Sequence, residues 1–548
     1  MTKIKNVVVW ALIIVMSMTL LTGCGGSSAP AATETPAAAP AATEAPAATE
    51  APAEPAGPVE LVIGIPDSVQ ALDPMNQKNT TYGGNAIGQV FDTLVANNFE
   101  TTEIVPALAK DWDISEDGLV YTFYLRDDVY FHPGQFQDGR QMVASDVVYT
   151  FNRIDELFAR NRAQVDNIVS VEATDDFTVV MTLEKPDSQT LAVITQENFG
   201  IVPQEEVEGM GDAYGAKAIG TGPFMVEELS EGNYVKLVKN DKYWGTVPAV
   251  DSVTFQFISD ANTMANALRS GEIDVAASLN ADFISVMEAE ENITVVNTSM
   301  RQHVALLHMN MVNGPTADPK VREAIIKAID IDAMVEGIYL NKDASRTYLP
   351  APKCSWGYDE SLESLVPSYD PEGAKALLAE AGYPDGLELN LYISSTAARN
   401  RMATIVQQQL KENLNITLNI HASDWAAFSE VVCAGKADIY GASFAFSESG
   451  DPYFYLNGFY NTSSIGSSPN GGGYSNPEVD ALLAESVNVT DQAERAKIYS
   501  EIMTTVLNDY VGIYYANENL IYAYNNNVEG FRINPSTIFW ANEVSMKG

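Results

Sequence analysis

The chain is expected to fold as α/β with mixed sheets, divided into two or three domains. Three observations carry that expectation. Residues 387–421 run strand, helix, strand: Leu387, Leu389, Leu391 and Ile393 alternate, Met402, Ile405, Val406, Gln409 and Leu410 recur at helical spacing, and Ile416, Leu418 and Ile420 alternate again. Two strands joined through a helix make a parallel pair with a right-handed crossover. Asp318-Pro319, Asp370-Pro371 and Asn476-Pro477 each place a capping side chain before proline at the first helical position. Finally, about 490 of the 548 residues remain once the first 58 are set aside, too many for one core.

Those first 58 residues are a different material. Lys3 and Lys5 precede an uncharged apolar run from Val7 to Leu21, which is short for a membrane span of about 20 residues. It ends in Leu21-Thr22-Gly23-Cys24. This tetrad resembles the bacterial lipobox, which implies a signal peptide over 1–23 and lipidation of Cys24, so that a lipid rather than a span would hold the chain to a membrane. Residues 24–58 are almost wholly Ala, Pro, Thr, Glu, Gly and Ser, with AATEAP at Ala41–Pro46 repeated at Ala47–Pro52. Such a segment has no apolar surface to bury and is expected to be a tether of reach approaching roughly 100 Å.

The net charge is −42, and two units more negative without Lys3 and Lys5. That field repels nucleic acid and anionic headgroups, which excludes nucleic acid as a partner. Besides Cys24, only Cys354 and Cys433 are present. One distant pair is no disulfide framework, and two free, buried thiols are expected.

Along the folded part, Leu61, Ile63 and Ile65 alternate as on a strand, and Asn85–Val95 has helical spacing through Ile87, Val90, Phe91 and Leu94. Alternation at Leu119–Leu125 and Val129–Phe131 across Asp127-Asp128 predicts a short hairpin. A helix is expected from Ala144 through Phe151, then a strand pair at Ile168–Ala173 and Thr178–Leu183. A second pair flanks the Glu231-Gly232 turn. Gly220 and Gly222 precede Pro223 and a strand rather than a helix, so they mark a tight turn and not a phosphate loop. Gly382 closes the helix that follows Asp370, and Asp424 caps one through Trp425, Phe428 and Val432. The second half is therefore an open α/β lobe, of a kind that binds ligands outside the carboxyl ends of its strands.

No catalytic motif is present: the sequence has no HExxH, GxSxG, Walker loop or CxxC. His303 and His308 lie on an alternating segment, and their odd separation puts them on opposite strand faces, a poor metal pair. No metal, no cofactor and no enzymatic reaction is expected. The informative stretch is 437–456, where a strand ends in a polar turn carrying Glu448 and Asp451, followed by Tyr453, Phe454, Tyr455, Phe459 and Tyr460. An acid among aromatic rings suits an ammonium group; a solvated Glu448 beside core aromatics is the equal alternative.

Several longer stretches carry a family resemblance. They are Leu108-Ala-Lys-Asp-Trp112 continuing to Tyr121–Phe131, the run Gln137–Phe151, Gly220-Thr-Gly-Pro-Phe224 with Tyr243-Trp244-Gly245, Val321–Asp330 and Gly450-Asp-Pro452. In consistent order over about 59–535, they are similar to the bacterial family 5 extracellular solute-binding proteins, the peptide and nickel receptors of ABC importers. The resemblance implies a two-lobed periplasmic-binding-protein-like fold of type II. Lobe I would cover 59–302 with an extra subdomain near 99–215, lobe II 303–515, and a return to lobe I 516–548. Crossing segments near Arg301–Asn310 and Val511–Tyr524 would form a hinge. It also implies that Glu448, standing where peptide-binding members carry Asp, clamps a peptide amine, with Phe446, Phe444, Trp425 and Tyr82 as cleft wall. Arg346, Arg399 and Arg401 are unranked candidates for a peptide carboxylate. The function implied is a monomeric, lipid-anchored, extracytoplasmic receptor that delivers di- or oligopeptides to a membrane permease. A nickel chelate or oligosaccharide as ligand, a surface hydrolase and an adhesin are the alternatives.

Overall fold

The computed structural model describes residues 57–547 apart from 76–80, 100–102, 158–161, 163, 300, 342, 446–449 and 490. The leader, Cys24 and the tether through residue 56 lie outside the described residues, as do Phe446 and Glu448.

Two large sheets organise the chain. The first has seven strands in the order Ile293–Thr298, Leu520–Asn525, Val275–Ala276, Glu60–Ile65, Ser252–Phe257, Tyr234–Lys239 and Phe224–Ser230. Its parallel centre pairs Glu60–Ile65 with Ser252–Phe257, and Leu61, Ile63 and Ile65 are fully buried, as the alternation requires. The second has six strands, in the order Ala344–Arg346, Gly512–Glu518, His303–Met309, Ile439–Ala445, Glu388–Ser394 and Thr417–Ser423. There the predicted crossover unit is realised: Glu388–Ser394 and Thr417–Ser423 run parallel, joined by the helix Ala397–Leu414. A separate four-stranded antiparallel sheet, Ala109–Ile114, Val120–Leu125, Thr178–Leu183 and Ile168–Asp175, sits in the first half of the chain.

The caps form as their chemistry dictates. Asp318 accepts from the Lys320 amide, Asp370 from Gly373, Asn476 from Glu478 and Asp424 from Ala427. Each satisfies an amide that the first helical turn leaves without a partner. Gly382 follows its helix at φ 94°, where a side chain would be strained.

Two local expectations fail. The predicted helix over 85–95 is instead Thr81–Gly88. Its continuation is prevented because the carbonyls of Gln89 and Val90 are taken by the amides of Phe224 and Gly222, at 3.0 and 2.9 Å. The residues with helical spacing are still buried in the core, although of them only Ile87 lies in the helix. The hairpin predicted over 119–131 also does not form: Val120–Leu125 pairs with Ala109–Ile114 and Thr178–Leu183, while Tyr130 makes only an isolated bridge to Gln141. Cys354 and Cys433 are unpaired thiols, half-buried rather than buried. Among the described residues, no helix is long and apolar enough to cross a membrane.

Candidate ligand-binding cleft

The chain passes from the seven-stranded to the six-stranded sheet between Thr298 and His303, and returns through Asn519, which alone separates Gly512–Glu518 from Leu520–Asn525. The strands on either side of both crossings are paired: Ile293–Thr298 with Leu520–Asn525, and His303–Met309 with Gly512–Glu518. Asn517 and Asn519 stitch them further, donating to His303 O at 2.7 Å and Asn297 Oδ1 at 2.6 Å.

Beside these crossings lies a cavity of about 660 Å3. Tyr82, the 278–282 turn, Leu520 and Ile521 contribute one side, and Tyr339, Leu340, Asn341, Asp343, the first turn of the helix at Ala397 and Trp425 the other. Arg301, His303, Glu518 and Asn519 line it from the crossings themselves. At the rim, Asn341 Nδ2 donates to Asp282 Oδ1 at 3.1 Å, one lobe to the other.

Of the residues singled out from sequence, Tyr82, Trp425, Arg399 and Arg401 share this cavity. Trp425 is 48% exposed and is held edge-on by Phe444, 5.9 Å between ring centres, which itself stacks edge-on against Phe459. Phe444 thus backs the wall instead of lining it. Arg346 is elsewhere: it donates to Tyr514 O at 2.6 Å, pairs with Asp332 and lies over the Tyr348 ring.

The arginines differ in how they are held. Arg399 donates from Nε to Ser394 O at 2.5 Å and from Nη1 to Ser443 Oγ at 3.2 Å, and forms no ion pair among the described residues. Arg401 donates to Ile338 O and its charge bears on Asp343. Arg301 lies 3.7 Å and His303 3.3 Å from Glu518 Oε2. Burial pushes the Glu518 carboxyl up, but the neighbouring His303 ring and the charges of Arg301 and Arg399 outweigh it and hold the group below the usual carboxylate range. Burial likewise favours neutral His303. His308 faces away into rings of Tyr440, Phe459, Tyr460 and Tyr514, so the two histidines take opposite sides of their strand, as the odd spacing requires. The cavity's Arg301, His303 and Glu518 were legible only as members of the expected crossing segments, not as site residues.

A second seam joins the lobes. Asp451, 3% exposed, pairs with Arg495 at 2.6 Å and accepts from Tyr499 Oη and the Tyr453 amide. Gln189, from the half of the chain that carries the four-stranded sheet, donates to the same carboxylate at 3.0 Å, and the Ser188 amide donates to Val487 O. The acid of the Gly450-Asp-Pro turn is therefore structural.

The same holds for other motifs. Asp92 accepts from Thr221 Oγ1 at 2.8 Å, Tyr243 Oη at 2.9 Å and Trp244 Nε1 at 3.0 Å, and burial still pushes its carboxyl up against these bonds. His132 is pushed down to about 4 by burial, its Nε2 2.8 Å from Gly222 O and its Nδ1 accepting from Gly220. A Cβ at Gly222 would press on the Gln89 carbonyl. Gly220-Thr-Gly-Pro and Tyr243-Trp244 are thus one packing joint, not a phosphate loop.

Two sheets joined by a pair of adjacent crossings, with a cavity beside them and a further sheet in the first half of the chain, define a two-lobed periplasmic binding protein. Comparison with known proteins agrees. The model of "Bacterial extracellular solute-binding proteins, family 5 Middle" matches residues 103–467. Heme-binding protein A of Haemophilus influenzae is 30% identical over 79% of this chain and 82% of its own length. Di/tripeptide-binding protein 2 of Pseudomonas aeruginosa is 28% identical over 81% and 87%. The solved structure of the ABC transporter-associated periplasmic binding protein DppA from Helicobacter pylori, in complex with the peptide STSA, is 28% identical and superposes with a TM-score of 0.71 over 90% of this chain and 99% of that one. The chain belongs to family 5 of the bacterial extracellular solute-binding proteins, the solute-binding proteins of ABC importers.

Proposed function

We propose that the protein is a lipid-anchored extracytoplasmic receptor that captures short peptides between its lobes and hands them to an ABC permease. The observation that carries the peptide reading is Arg399, a cation fixed by Ser394 O and Ser443 Oγ in the interlobe cavity with no ion-pair partner among the described residues. A guanidinium so held recognises a carboxylate through a charge-assisted bond. Trp425 and Tyr82 supply ring faces to either side. Glu448, by its place in sequence, takes the peptide amine. The peptide-binding relatives support the reading. Closure about the two crossings would follow ligand binding because the ligand touches both lobes only in the closed state. The tetrad ending at Cys24 supports the lipid anchor, and the chain is proposed to act as a monomer.

Calorimetric titration of the full chain with a set of di- to tetrapeptides tests this. Saturable binding of free peptides, lost when the terminal carboxylate is amidated, is the expected result. Peptides that bind equally well as amides would remove Arg399 from the reading. Metabolic labelling with a fatty acid tests the anchor: the label should enter the unaltered chain and be absent from Cys24→Ala.

A further inference from the structure

A second cavity lies within the first lobe and shares no wall residue with the cleft. Its inner chamber is about 110 Å3 and adjoins an outer recess of about 490 Å3, the two sharing Asp92, Asn97, Tyr243 and Trp540 as walls. Two carboxyl groups, Asp92 and Glu197, line the inner chamber, and among the described residues no Lys, Arg or His lines it. The absence of a side chain at Gly84 leaves room for Glu197, since a methyl there would collide with its carboxyl.

Several hydrogen-bond donors of this region are already committed. Tyr243 Oη and Trp244 Nε1 donate to Asp92. Gln89 Nε2 donates to Phe539 O at 3.0 Å and Asn97 Nδ2 to Thr195 Oγ1 at 2.9 Å. Asn542 Nδ2 donates to Thr246 O at 3.2 Å, and because that carbonyl can only accept, the orientation of the carboxamide is determined. Two buried acceptors remain unmet. Asn97 Oδ1 and Asn542 Oδ1 are buried with no hydrogen-bond partner, Asn542 being only 8% exposed. The one guanidinium of the outer recess, Arg532, is paired with Glu543 at 2.8 Å. Buried acceptors without donors cost free energy that a donor-only guest would recover, and a positively charged one would hold the two carboxyls ionised against the burial that pushes both up. The rings of Phe91, Tyr243, Phe539 and Trp540 line the chamber, aromatic groups of the kind that attract such a guest.

We propose that this chamber is a second binding site, specific for a small organic ammonium ion. Its charged head sits against Glu197 and Asn97 Oδ1, and its alkyl part extends into the outer recess, carrying a second donor toward Asn542 Oδ1. The site is independent of the peptide reading of the cleft.

The test is calorimetric titration of the full chain with butane-1,4-diamine, using butane-1,4-diol as the uncharged isostere. Saturable one-to-one binding of the diamine and none of the diol is expected. Glu197→Gln should weaken it about tenfold or more, as loss of a desolvated charge partner does. Arg399→Ala, a change in the cleft, should leave it unaltered. Absence of saturable diamine binding overturns the proposal. So does equal affinity in Glu197→Gln, which would mean attraction to the general negative field. Should Glu197→Gln fail to fold, the diamine and diol comparison on the unaltered chain decides alone.

Discussion

His303 Nδ1 lies 3.3 Å from Glu518 Oε2, and the two residues are the lobe-crossing ends of paired strands. With Arg301 also within 3.7 Å of the carboxylate, the two crossings between the sheets are tied to each other by charge.

Glu518 therefore contributes to stability in a defined pH range. Its folded carboxyl is held below the ordinary value, so the contribution is fully present above about pH 4.3 and is lost as pH falls toward the folded value. Glu518→Gln should lower stability near neutrality and flatten its fall in acid below about pH 4.3. Urea midpoints measured across that range check the expectation, and parallel curves for both chains would contradict it.

His308 gives the opposite protonation case with the same outcome in acid. Burial pushes its ring down to about 3, and it sits among Tyr440, Phe459 and Tyr514. The unfolded chain takes up the proton near pH 6.5 and the folded one does not, so stability falls by roughly 1.4 kcal/mol per pH unit from there toward about 3. His308→Phe keeps a ring in the cluster and should remove that share of the slope, seen in thermal melts between pH 6.5 and 4.

Asp451→Ala would leave Arg495, 9% exposed, as an uncompensated buried cation. A loss of about 3–5 kcal/mol is expected, as for other buried pairs broken from one side. Gln189→Ala removes only the bond from the first half of the chain to this carboxylate and should cost about 1–3 kcal/mol. Denaturant unfolding separates the two effects.

In the cleft, Arg399→Ala should weaken peptide binding by about 1.5–3 kcal/mol, the range for a charged hydrogen bond, while leaving the melting temperature nearly unchanged. Arg346→Ala should do the reverse, since its bonds go to Tyr514 O and Asp332 within its own lobe. Paired titrations and melts on both variants check the contrast.

Part of the architecture was legible residue by residue. The capping side chains before Pro319, Pro371 and Pro477 act within their own first turns, so their sequence neighbours suffice to predict them. The crossover unit ending at Ser423 has the same character, because alternation and helical spacing are local patterns. The helix expected through Val95 was misjudged because its carbonyls were claimed by Gly222 and Phe224, more than a hundred positions away. Tyr82 and Trp425 were named as cleft wall from resemblance, and their presence on one cavity depends on how two lobes meet.

By itself, then, the order of residues determined the segments: which are strands, which helices carry caps, where the export signal and lipid-acceptor cysteine are expected, and which family the motifs match. Tertiary structure alone decided which charges keep company. Among the described residues Arg399 forms no ion pair while Arg346, Arg495 and Arg301 each do, and Asp92 and Asp451 are spent on packing joints. The physical reason is that an ion pair forms between atoms a few ångströms apart, whatever their separation along the chain.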